Sequence, residues 1–120
     1  MGTAALRHTA RPGTDELLVR YRLMTRRTLR PAAEDVVPVC ATADPEAFFP
    51  EVHASGLTQP PNRHELLALT LCEGCPLIEF CLVREMREVP SVFQIRGIRA
   101  GLRQSERRAL YLALVKAGAL

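Results

Sequence analysis

The chain has 120 residues and a formal net charge of +3, with 48% hydrophobic residues, no Trp and only six aromatics. That length excludes more than one ordinary domain, and the core has to be built from Leu, Val, Ala and Ile. No segment has the pattern of a secretory leader and no apolar run is long enough to span a bilayer, so the chain reads as cytoplasmic, with no membrane partner. The charge is unevenly placed: residues 1–30 carry +5, residues 31–95 carry −7 and residues 96–120 carry +5. Basic ends on an acidic middle direct polyanion contacts to the ends. Fifteen of the sixteen basic residues are Arg, which with abundant Ala hints at a GC-rich genome.

Residues 1–13 lack periodicity and are expected to form a flexible arm. A basic helix is predicted over 14–31, with Thr14 as cap and Leu17, Leu18, Tyr21 and Met24 as its apolar stripe; Pro31 stops it. Residues 36–120 form the main domain. Asp44 before Pro45 predicts a short helical turn carrying Phe48 and Phe49. Residues 52–62 read as a loop, and Asn62 caps a helix running toward Cys72. Glu73-Gly74 makes a turn, with Cys75 expected at the next helix cap and Pro76 as first helical residue. On that helix Leu77, Ile78, Cys81 and Leu82 share a face, so Cys81 points inward. Residues 92–102 are Gly-punctuated and β-branched and predict an extended turn or hairpin. Ser105 is expected to cap a last helix over 106–117, with Gly118 beyond its end. The expected fold is small and all-α, with about four short helices.

The four cysteines are Cys40, Cys72, Cys75 and Cys81. Three fall within C-E-G-C-P-L-I-E-F-C and none is left over, the arithmetic of a four-thiolate centre. Zinc sites usually show two close ligand pairs, so the spread spacing tilts slightly toward an iron–sulfur cluster, with zinc the alternative. His8, His53 and His64 read as surface residues. Nothing in the chain assembles an enzyme: no nucleophile with a placed base, no phosphate loop and no small-molecule site are visible. A CxxC thiol exchanger in the metal-free state is the remaining catalytic alternative.

Cys40 followed by D-P-E-A-F-F-P-E, then C-E-G-C-P, Cys81, G-I-R-A-G-L and S-E-R-R-A-L, resembles the WhiB-like transcription factors of actinobacteria and their phages. The resemblance implies a 4Fe–4S cluster on Cys40, Cys72, Cys75 and Cys81, in a helical domain that docks onto the C-terminal domain of the primary sigma factor. It also implies DNA contact near the C-terminus and, in some members, sensing of dioxygen or nitric oxide. Phe48, Phe49 and the turn Gly97, Ile98, Arg99 and Gly101 are the expected partner surface. Arg103, Arg107 and Arg108 are the expected DNA contacts. Two departures stand out: Arg99 and Ala100 replace the family's Trp and Gly, and no Arg-Gly-Arg-Pro hook follows the last helix. Weaker sigma affinity than that of a typical member is expected.

Overall fold

The computed structural model describes residues 10–26, 41, 45–49, 57 and 59–120. Cys40, Pro31, the Asp44 cap, His8 and His53 lie outside the described residues, as do residues 1–9 of the expected arm. Among the described residues the protein is helical, with no strand. The elements are α1 (Thr14–Arg26), a 3-10 turn at Pro45–Phe48, α2 (Arg63–Cys72), α3 (Ile78–Glu88), a 3-10 turn at Val92–Gln94, and α4 (Gln104–Lys116).

α1 forms where the apolar stripe predicts it. Leu17 and Tyr21 are buried, and Leu18 and Met24 pack beside them. It lies against α3 and α4. Burial raises the Tyr21 phenol pKa, and the hydrogen bond and charge of Arg87 pull it partly back. α2 opens on a reciprocal capping box. The Asn62 side chain accepts from Glu65 N–H at 2.9 Å, and the Glu65 carboxylate accepts from Asn62 N–H at 3.1 Å. Asn62→Ala is expected to cost about 1 kcal/mol, read as a lower urea midpoint with unchanged slope.

Two helix starts differ from expectation. α3 begins at Ile78 rather than Pro76, because Ile78 N–H closes onto the Cys75 carbonyl at 3.4 Å in a tight turn, and Leu77 (φ −107°, ψ 15°) is the cap residue. Cys75 therefore precedes the helix instead of capping it. α4 begins at Gln104, with Arg103 at the cap. The Glu106 carboxylate accepts the Arg103 N–H at 2.8 Å and supplies the capping contact expected from Ser105. Ser105 Oγ is buried and has no hydrogen-bond partner among the described residues. The far end of α4 follows the prediction. Gly118, at φ +71°, donates to Val115 O, and Ala119 donates to Leu114 O, the paired bonds of a Schellman stop.

Among the described residues the core is in two parts. One gathers Leu17, Tyr21, Leu82, Val83, Met86, Ile95, Ala100, Leu102, Leu110 and Leu114. The other gathers Phe48, Ala68, Leu69, Cys72 and Ile98. Residues 95–102 contribute to both, so this turn is the seam between them. Its tip is a two-residue hairpin turn, with Arg99 and Leu102 exchanging both backbone hydrogen bonds at 3.1 and 2.9 Å. The central residues Ala100 (φ 56°) and Gly101 (φ 69°) are both left-handed, as a type I′ turn requires. Ala100 thus occupies a backbone conformation that ordinarily calls for Gly or Asn.

Candidate metal centre and the turn beside it

The three described cysteines sit on one continuous stretch, the end of α2, the following turn and the first turn of α3. Cys72 closes α2, and Cys75 N–H donates to the Cys72 carbonyl at 3.1 Å. Gly74 takes φ +78° to reverse the chain between them. Cys81 N–H returns to Leu77 O at 2.8 Å, which places its side chain one turn into α3. Cys72 belongs to the second core cluster, while Cys81 packs against the first. The thiols therefore bracket the seam, and a Cβ added at Gly101 would lie 4.0 Å from Cys72 Cβ.

Burial pushes the Cys81 thiol pKa up to about 11; Glu85 and Cys72 push the same way, while Arg99 and Arg107 oppose them. Because the folded pKa is raised, the neutral thiol favours the fold fully below the unfolded value of about 8.5. That contribution is lost as pH rises through about 11. Among the described residues no three His, Cys, Asp or Glu side chains close around a single point. The donor chemistry, three thiols along one hairpin of helices, suits a soft metal or an iron–sulfur group.

Phe48 and Phe49 divide as two adjacent aromatics must. Phe48 is 6% exposed and sits in the core, while Phe49 is 54% exposed. Both touch the turn. The Ile98 N–H donates to the Phe48 carbonyl at 2.7 Å, and Gly97, at φ +67°, lies against Phe48 O and the Phe49 ring. Of the predicted partner residues, the structure brings Phe48, Phe49, Gly97 and Ile98 into contact. Arg99 and Gly101 stand further along the same turn. Ile98 is buried and Arg99 is 51% exposed.

The predicted DNA-contacting arginines are placed differently. Arg103 and Arg107 are each 0% exposed. Arg103 pairs with Glu65 at 3.0 Å and donates to Gln59 O at 2.8 Å. Arg107 pairs with Glu85 at 2.6 Å and 3.3 Å and donates to the carbonyls of Arg96, Gly97 and Leu102. All five N–H donors of its guanidinium are used. Arg108 is partly buried and donates to Ile95 O at 2.9 Å. The expectation that Arg103 and Arg107 meet DNA is thus corrected: burial against carboxylates and turn carbonyls leaves them no face for a phosphate. They fasten the seam.

Three residues in this scheme were not read from the sequence. Glu85 falls four residues after Cys81, an acid on the apolar face of α3, which signalled an internal cation. Glu65 was visible as the fourth member of N-R-H-E, a capping signature, but not as the partner of Arg103. Arg11, in the stretch expected to be a flexible arm, pairs with Glu106 at 2.6 Å and donates to Gly101 O at 3.0 Å.

These features define a small helical domain whose cysteine-bearing hairpin leans on an arginine-clamped glycine turn. The family model "Transcription factor WhiB" matches residues 36–110, and the chain belongs to that family. No curated protein and no solved structure matches it significantly. The membership makes a role in transcription the plain reading and a non-enzymatic one consistent with it. Among the described residues no helix is long and apolar enough to cross a membrane.

Proposed function

We propose that the protein is a cytoplasmic transcriptional regulator that holds a 4Fe–4S cluster on Cys40, Cys72, Cys75 and Cys81 and acts with the primary sigma factor at promoter DNA. The observation that carries this is the collection of Cys72, Cys75 and Cys81 along one helix–turn–helix stretch of a WhiB family chain. When bound, such a cluster supplies one-electron chemistry and reactivity toward dioxygen or nitric oxide. The chain's own residues do the rest. Gly74 turns the backbone so that Cys72 and Cys75 stand on either side of it, and α3 carries Cys81 in its first turn. Phe49 and the 97–101 turn are the proposed sigma-facing surface, with Phe48 as its buried footing. With Arg103 and Arg107 enclosed, DNA association is assigned to exposed basic residues, foremost Arg22 and Arg26 of α1. A zinc-stabilised interaction module is the second reading, because the same thiols suit zinc.

Anaerobically purified protein is expected to carry about four irons per chain with matching labile sulfide, the stoichiometry of this cluster class. Ala at any one of the four cysteines is expected to abolish the intact cluster and lower the melting temperature, because metal binding is coupled to folding. Colourless protein with stoichiometric zinc, even after anaerobic reconstitution, would decide for the second reading. Co-purification with a co-expressed sigma C-terminal domain tests the partner, and loss of it in Phe49→Ala tests the surface.

A further inference from the structure

Arg99 is the residue by which this turn departs most from its resemblance to WhiB-like chains, where Trp is expected. Its guanidinium reaches Glu85 Oε2 at 3.6 Å. Glu85 is already held by Arg107 through two hydrogen bonds. One carboxylate therefore faces two cations, and the pair of arginines keeps an excess positive charge. Arg99 lines an open groove along α3 together with Leu77, Phe80, Cys81 and Val89. The other charges in that groove are Glu85, already shared, and Arg84 with Glu88, which pair with each other at 3.1 Å on the exposed side. Among the described residues that line this groove, Arg99 is the cation whose carboxylate is shared with a second arginine, and Cys81 lines the same groove.

We infer that Arg99 is a tuning residue that raises the reduction potential of the thiolate-bound centre by stabilising its more negative, reduced form. The inference rests on the iron–sulfur reading proposed above. In the step concerned, one electron passes from an external reductant of the viologen class to the centre. No bond breaks, no proton moves, and the net charge falls by one. A fixed cation nearby lowers the energy of the reduced form more than that of the oxidised form. Net charge around a cluster is one of the quantities that set its potential. Arg99 is half exposed, so its effect weakens as salt screens it.

The test is a viologen-mediated spectroelectrochemical titration of cluster-loaded wild type, Arg99→Lys, Arg99→Gln and Arg99→Trp. At a fixed poise the Gln and Trp proteins are expected to hold about tenfold less of the reduced form relative to the oxidised, a midpoint lower by about 59 mV for a one-electron couple. The Lys protein is expected to stay with the wild type, and the difference is expected to shrink at about 1 M salt. Agreement between Gln and Trp would assign the effect to charge rather than to side-chain volume. If Arg99→Gln and Arg99→Trp carry full iron and sulfide yet keep the wild-type midpoint, the inference is overturned and the cluster assignment stands. If the wild type itself binds no iron or sulfide after reconstitution, the cluster reading fails and this inference falls with it.

Discussion

Arg107→Ala is expected to lose roughly 3–5 kcal/mol of folding stability, the range measured when one partner of a buried ion pair is removed. That is a large part of what a domain this size has to spare. The deletion leaves Glu85 buried without its main partner and strips the carbonyls of Arg96, Gly97 and Leu102 of a donor. Arg107→Lys is expected to recover little, since one ammonium cannot serve positions set out for a planar fork. Arg108→Ala, which gives up a single contact to Ile95 O, is expected to cost about 1 kcal/mol. Urea unfolding of the three variants reads the order directly. An Arg107→Ala protein with an unchanged midpoint but weaker retention on DNA would return this residue to the surface role first expected of it.

Gly97→Ala is the second large effect. A Cβ there would run into the Phe48 carbonyl oxygen and lie 2.7 Å from Phe49 Cδ1. The oxygen is backbone and is already bonded to Ile98 N–H, so it has no easy retreat. Left-handed backbone adds about 1–2 kcal/mol for any residue with a Cβ. Together these are expected to exceed about 3 kcal/mol, among the larger single-residue losses. Gly101→Ala is the control. It carries a similar φ of +69°, but the nearest atoms to its Cβ are 3.8 and 4.0 Å away. It is expected to cost the conformational penalty alone. Equal midpoints for the two variants would show that the contact between the turn and Phe48–Phe49 is not as tight as the structure has it.

Local signals carried the fold further than they carried the site. The stripe of α1, the Asn62 cap, the hairpin tip near residue 100 and the Gly118 stop depend on neighbours in sequence, and each was legible there. The succession of Cys72, Cys75 and Cys81 along the end of α2, the turn and α3 was legible for the same reason. The roles of Arg103 and Arg107 were not, because their partners Glu65 and Glu85 are 38 and 22 residues away. Basic residues at the start of a helix oppose its dipole, and an outside polyanion is only one way to repay that cost. A buried carboxylate is another, and only the tertiary fold distinguishes them. Arg11 was missed likewise, since nothing local marks a salt bridge to Glu106 across 95 residues. The start of α3 was misplaced by a rule that holds on average: Pro favours the first helical position, but here Cys75 and Ile78 close a tighter turn first.

The turn at 95–102 also limits the kind of partner that can recognise it. Its carbonyls at Ile95, Arg96, Gly97, Gly101 and Leu102 are all occupied by arginine side chains from within the chain. Its amides at Gly97, Ile98, Arg99 and Leu102 are likewise spent on Gln104, Phe48 and the hairpin itself. A binding peptide that works by adding a strand needs a row of open main-chain groups, and here most of that row is already engaged. A partner at this surface would meet mainly side chains, and among the described residues Phe49, Arg96 and Arg99 are exposed there. Specificity at this surface is therefore open to change by point substitution, without any rebuilding of the loop that presents it.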